Sequence, residues 1–226
     1  MTMSRREILR SGAMLGAGLA LPPGFALAAA RADARYPSVA ALLDRYAQAG
    51  KLSGLVATAG WGESPMEVVA RGVSTKGEAT PLGPDSLFRI YSMTKPVTGM
   101  AAMILVGDGR LGLDQPLADI LPAYAKMQVL TAPDGPIDQV RPATTPITIR
   151  HLLTHTAGLG YTIVQNGPIK AAYEKAGIVP GQVSRVPVPG LFFGAAAPSL
   201  AELADRLASL PLVYEPGARW SYSVSL

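Results

Sequence analysis

The chain has 226 residues, 49% of them apolar and 16% charged, with a formal net charge of +4, enough apolar residues to build a sizeable core in one domain or one and a half. It contains no cysteine, which excludes disulfides, thiolate metal sites and a cysteine nucleophile. No Lys/Arg cluster with interleaved aromatic residues occurs, so no nucleic-acid partner is expected.

The first residues read as an address rather than as fold. Ser4-Arg5-Arg6-Glu7-Ile8-Leu9-Arg10 is a twin-arginine export pattern, an apolar run follows from Ala13 to Leu21, and Ala26-Leu27-Ala28 offers a cleavage site. Residues 1–28 are therefore expected to be a signal peptide, with 29–226 as the remaining domain. The partner this implies is the twin-arginine export machinery, and the location is the periplasm or beyond. The run is too short and too glycine-rich for a stable membrane span. Cleavage would remove three arginines and one glutamate, taking the net charge from +4 to +2.

Residues 38–49 carry helical periodicity, with Val39, Leu42, Leu43 and Tyr46 on one face and Ser38 as a candidate cap. Leu52 to Gly60 and Met66 to Gly72 read as two strands joined by a hairpin loop at Gly62-Glu63-Ser64-Pro65, and Thr80 to Asp85 as a turn region. A helix is expected next, with Val97, Ala101, Ile104 and Leu105 as its buried face and Gly107-Asp108-Gly109 as its stop. Further on, Leu117 to Leu121 suggests a short helix and Thr131 to Pro146 a proline-rich loop. Thr148 caps a short helix through His151 and Leu153, and Gly160 to Pro198 reads as a long irregular excursion. Ser199-Leu200-Ala201-Glu202 is a capping box opening a helix with Leu203, Leu207 and Leu210 inward. Glu215-Pro216-Gly217 is a turn, and Trp220 to Leu226 is extended or strand-like.

Chemistry concentrates at Ser92-Met93-Thr94-Lys95. Residues three apart on a helix share a face, with Cβ atoms about 5–6 Å apart, so the Lys95 amine can reach the Ser92 hydroxyl. A serine hydroxyl is a weak nucleophile until a base takes its proton, and a partly desolvated lysine can be that base. Pro96 is compatible with a helix only in the first turn, where the backbone donors have no helical partner. Ser92 is thus placed at or just before a helix N-terminus, where the dipole favours developing negative charge.

Three segments carry a resemblance in the same order along the chain: Ser92-Met93-Thr94-Lys95-Pro96, then Ile149-Arg150-His151-Leu152-Leu153-Thr154-His155-Thr156-Ala157-Gly158-Leu159, then Glu215-Pro216-Gly217-Ala218-Arg219-Trp220-Ser221-Tyr222-Ser223. Together they resemble the serine beta-lactamase-like superfamily of class C beta-lactamases, DD-peptidases and family VIII carboxylesterases, from about Ser38 to Leu226. The resemblance implies an α+β fold, an antiparallel sheet with flanking helices plus a mainly helical domain, with the active site between them. It implies Ser92 as the acylated nucleophile, Lys95 as its activating amine, and Tyr222 as a proton shuttle beside Lys95. The chemistry of the residues agrees, since a phenol near an ammonium is pulled toward phenolate. No cofactor is implied. One departure bears on substrate: Val224 stands where the family's Tyr-x-Asn element has its asparagine, which offers an amide to the substrate's side-chain amide. Valine neither donates nor accepts, which argues for small esters over lactams.

His151 and His155 stand four apart, a metal-ligand spacing, but no glutamate follows His151 and no third ligand is evident. They are expected to cap the helix or support the site. The family continues beyond the position of Leu226 with further strands and a third motif that donates to the oxyanion. The chain is accordingly expected to be the N-terminal portion of a longer enzyme, with the C-terminal part of the sheet missing. The reading that emerges is an exported serine hydrolase of carboxylesterase type acting on small-molecule esters. DD-peptidase or beta-lactamase action on cell-wall peptides or lactams, a non-catalytic penicillin- or cell-wall-binding module, and an inactive fragment stand as alternatives.

Overall fold

The computed structural model describes residues 31–179 and 196–226. The signal-peptide expectation for 1–28 and the central part of the Gly160 to Pro198 excursion lie outside them. The chain divides into two compact units, one ending at Arg89 and one running from Ile90 to Leu226.

The first unit is a helix on a hairpin. Helix α1 (Pro37–Gln48) packs against the antiparallel strands β1 (Gly54–Ala59) and β2 (Glu67–Gly72). Pro37 opens the helix and Tyr36 occupies the cap position without a side-chain cap bond. Ser38 therefore lies inside the first turn, because a proline needs no partner for its nitrogen at the first helical position and fixes the helical φ. The buried stripe is Ala40 and Leu43, joined by Val39, with Val69 from β2 and Ala32. Leu42 and Tyr46, expected inward, stay exposed, because a two-stranded hairpin covers only a narrow strip of helix. Arg71 clasps the unit: its Nε donates to Asp44 at 2.6 Å and its Nη2 to Asp33 at 2.8 Å. The Asp44 bond leads in raising the Arg71 pKa further, against the cost of burial.

The second unit holds the larger core. Helix α2 (Thr94–Gly107) is preceded by a 3-10 turn over Tyr91–Met93 and ends where Gly109 takes φ +68°. Two 3-10 turns follow, Leu117–Asp119 and Pro122–Tyr124. Strands β3 (Gln128–Leu130) and β4 (Val140–Pro142) then form an antiparallel pair, β3 just before the stretch expected to be loop and β4 inside it. Three-residue strands leave no alternation long enough to detect. Helix α3 (Ile149–Leu153) starts as expected at Thr148, whose Oγ1 accepts from His151 N at 3.3 Å while His151 Nδ1 accepts from Thr148 N at 3.3 Å. Helix α4 (Gly167–Lys175) lies within the expected excursion, and α5 (Leu200–Ala208) opens at Ser199, whose Oγ accepts from Glu202 N at 3.1 Å.

The core joins Val129, Leu130, Ile147, Ile149, Leu159, Ile169, Tyr173, Leu207, Leu212 and Val213. Leu203 and Leu210 pack on it from the edge. The expected buried face of α2 is not covered: Val97 is 53% and Ile104 64% exposed, Ala101 is exposed, and only Leu105 is half-buried. No residue of the helix is buried, although it is apolar around most of its circumference. Trp220 to Leu226 forms no strand.

One polar bond secures the core beside the later chain. Tyr173 is fully buried and its hydroxyl accepts from Gly160 N at 2.9 Å. Burial outweighs that bond and pushes the phenol up to about 12. Tyr173→Phe keeps the ring and strands the Gly160 N–H. The expected cost is about 1–3 kcal/mol, read from urea denaturation; an unchanged midpoint would mean that Gly160 finds another partner.

Candidate active site

The three residues singled out from sequence converge within the second unit. Tyr91 precedes the 3-10 turn's serine with φ +47°, a left-handed conformation that bulky residues rarely adopt. Ser92 follows in that turn, immediately before α2, and Lys95 sits in the first helical turn. The Tyr222 hydroxyl donates to Ser92 Oγ at 2.7 Å across 130 residues of sequence. The Lys95 ammonium stands 4.9 Å from the Tyr222 ring centroid and 6.0 Å from that of Tyr161.

Backbone bonds deliver Tyr222 to this position. The terminal segment is laced to residues 155–160: Val213 N donates to Gly158 O at 2.8 Å, Gly217 N to Thr156 O at 2.8 Å, Ser221 N to His155 O at 3.0 Å and Val224 N to Gly160 O at 3.3 Å. The approach is tight. Gly158 has φ +82°, and a Cβ there would lie 2.0 Å from Tyr214 O. Val224 packs on the apolar core, so its side chain serves packing at the position where an amide was expected from the resemblance.

The electrostatics shift Tyr222 toward the phenolate. The Lys95 hydrogen bond leads, followed by that of Ser92, in pulling the Tyr222 phenol below its ordinary range, against the smaller effect of partial burial. Tyr161 lies behind it, with ring centroids 5.4 Å apart, and burial pushes its phenol upward. The His155 ring lies 5.0 Å from that of Tyr222 between centroids. Burial first, and the Lys95 charge second, hold His155 below its ordinary value. The arrangement can therefore take a proton from a serine hydroxyl and hold it beside a cation. Among the described residues no group of three or more His, Cys, Asp or Glu could hold a metal ion. His151 caps α3 instead, and Gly217 lies against it: a Cβ there would be 3.2 Å from Nε2. No described helix is long and apolar enough to cross a membrane.

A family model described as Beta-lactamase matches residues 27–225. The chain belongs to the beta-lactamase family. Protein Rv1367c of Mycobacterium tuberculosis (strain ATCC 25618 / H37Rv) is 39% identical over 175 residues, 77% of this chain and 39% of that protein. Esterase EstB of Burkholderia gladioli is 33% identical over 205 residues, 91% of this chain and 45% of the esterase. Among solved structures, EstCE1, a hydrolase with promiscuous acyltransferase activity, shares 28% identity at a TM-score of 0.61, covering 86% of this chain and 44% of EstCE1. This beta-lactamase-family chain thus spans less than half the length of each. Its helices and small antiparallel sheets are those of the beta-lactamase/transpeptidase-like fold.

Sequence reading did not single out Tyr161 or the bracket that His155 forms around Tyr222. The tyrosine three residues after Gly158 was visible, but its facing of Lys95 depends on the lacing above.

The turn at Glu215 anchors the start of the terminal segment. Its carboxylate accepts from Thr144 N at 2.7 Å, Thr144 Oγ1 at 2.8 Å and Thr145 N at 2.8 Å, and pairs with Arg141 at 2.5 Å. Burial opposes the charged form, but the bonds from Arg141, Thr144 and Thr145 outweigh it and hold the carboxyl at about 2. A carboxyl depressed on folding stabilises the fold above its unfolded value, and that stability fades as pH falls through the folded value. Glu215→Gln should cost about 1–3 kcal/mol at neutral pH and flatten the loss of stability between pH 4.5 and about 2, measured by thermal unfolding across that range. An unaltered acid profile would remove Glu215 from this role.

Proposed function

We propose that this chain carries the nucleophile and proton-shuttle side of a serine hydrolase that cleaves small carboxylic esters through an acyl-enzyme. Ser92 is the nucleophile, Tyr222 the group that takes its proton, and Lys95 the cation that keeps Tyr222 prone to ionise. The observation that carries this reading is the 2.7 Å contact between Tyr222 Oη and Ser92 Oγ, with the Lys95 ammonium beside the same phenol. In the ionised form Tyr222 accepts the Ser92 proton as Oγ bonds to the ester carbonyl carbon. The bond from that carbon to the alcohol oxygen breaks, and the leaving alkoxide takes the proton from Tyr222. Water attacks the acyl-serine by the reverse use of the same groups, releasing the acid and restoring Ser92. Support for esters over lactams comes from Val224, which offers no amide to a substrate side chain, and from the esterases among the relatives.

A fluorophosphonate probe tests the nucleophile. Intact mass should show one adduct, absent in Ser92→Ala. No adduct on a chain folded by circular dichroism would overturn the reading for these 226 residues. Turnover of lactams or D-Ala-D-Ala peptides in preference to esters would overturn the substrate class.

The same reading includes export by the twin-arginine route, supported by Arg5-Arg6 and the Ala26-Leu27-Ala28 site. Expressed in a bacterium, the chain should appear in the periplasmic fraction shortened by its first 28 residues. The double substitution Arg5→Lys and Arg6→Lys should leave the precursor in the cytoplasm; equal export of the variant would sink the proposal.

A further inference from the structure

Tyr222 is held from both sides by a single residue. The backbone oxygen of His155 accepts from Ser221 N at 3.0 Å, and its ring Nδ1 accepts from Ser223 N at 3.2 Å. The imidazole plane leans on the Tyr222 ring at 5.0 Å and 46°, while the Trp220 ring meets it edge-on at 6.4 Å. His155 reaches this geometry with φ +55°, a left-handed conformation that His and Asn tolerate better than bulky residues.

The Ser223 backbone contact favours one tautomer. An N–H pointing at Nδ1 requires a lone pair there, so the neutral ring carries its proton on Nε2. Ser223 is buried, and its Oγ, 3.1 Å from Nδ1 and 2.5 Å from Ser225 Oγ, has a second partner in Ser225. Its backbone N–H is tied to the ring. A second proton on the imidazole would set Nδ1–H against Ser223 N–H and break that backbone bond, leaving Nδ1–H only the Ser223 Oγ 3.1 Å away. The titratable groups facing the ring are the Lys95 ammonium from α2 and the Tyr222 phenol from the terminal segment, with Tyr161 behind Tyr222.

We propose that His155 is a positioning residue which, as the neutral Nε2–H tautomer, clamps Tyr222 against Ser92, and that protonation of His155 releases the clamp and closes the site on the acid side. The inference rests on the proposed role of Tyr222, but its first test does not need activity. The Lys95 charge and the buried setting both oppose the imidazolium, so the clamp stays closed to a pH below the usual imidazole range.

The first measurement is the nitrogen NMR of the two imidazoles in the full chain, assigned with His151→Gln. His155 should show the Nε2–H tautomer and a midpoint below the ordinary value of about 6.5, rising in Lys95→Met. An Nδ1–H tautomer, a midpoint at or above the ordinary value, or no response to Lys95→Met overturns the proposal. The second measurement is the rate of fluorophosphonate labelling against pH. Ionisation of Tyr222 alone gives a one-proton acid limb; loss of the clamp steepens it toward two protons in the wild type. His155→Phe keeps a ring but no acceptor, and its rate should fall roughly tenfold or more, as misplaced groups do. His155→Asn, whose Oδ1 can accept from Ser223 N, should restore most of that rate with a one-proton limb. A variant limb as steep as the wild type, or His155→Phe reacting like the wild type, would also overturn it. If no protein labels at all, the functional reading fails, and the NMR result alone decides the clamp.

Discussion

The structure of the second unit depends on the seam between residues 155–160 and the segment from Leu212 to Val224. Four backbone bonds run across it, from Val213, Gly217, Ser221 and Val224 to Gly158, Thr156, His155 and Gly160. Those from Val213 and Ser221 also satisfy main-chain donors of buried residues, which would otherwise lack a water partner. The seam continues into the core, because Leu212 pairs with Val129 of β3 through Leu130 N and its own N–H at 2.9 and 2.8 Å. A tyrosine 130 residues from its serine partner meets it only because this seam fixes the register of the terminal segment. The close packing at Gly158 shows how little slack is allowed, since any side chain there would collide with Tyr214 O.

Around that seam the charges are arranged at unequal depth. Ser92 and its contact with Tyr222 are open to solvent. Ser223 and Tyr161 are buried, and burial first and the Lys95 charge second hold the His155 imidazole below its ordinary value. One cation thus acts on two neighbours with opposite results: it favours the charged form of the phenol and disfavours the charged form of the imidazole. Both shifts serve the same state, in which Tyr222 is ionisable and His155 can accept from Ser223.

The parts legible in the sequence are those fixed by local rules. Ser-x-x-Lys with Pro96 placed the serine at a helix start, Thr148 and Ser199 announced their helices by capping chemistry, and the first hairpin showed in two apolar runs around a turn. What was hidden depends on partners far along the chain. The pair β3–β4 is too short to alternate, and α4 contains Gly167 and Pro168 at its start, which read as loop. The expected buried face of α2 is absent, since no residue of that helix is buried. The role of His155 was out of reach for another reason. Its positive φ and its contact with Ser223 arise from the seam, and no spacing of residues encodes them.

Tyr91 shows that the serine's position is held by more than helix propensity. A non-glycine residue with φ +47° costs on the order of 1–3 kcal/mol and persists only where its surroundings over-determine it. Here the strained residue directly precedes Ser92, and Met93 N closes the turn onto Ile90 O at 3.0 Å. A regular helix running through Tyr91 would carry Ser92 inside its first turn, with the hydroxyl free to bond back to the helix backbone. The 3-10 turn keeps Ser92 ahead of α2 and leaves its Oγ to Tyr222. Strain at Tyr91, the proline-bearing first turn of α2 and the bracketing of Tyr222 by His155 are therefore three local costs or constraints that converge on one oxygen atom. Such convergence supports the proposed role of Ser92 as the nucleophile.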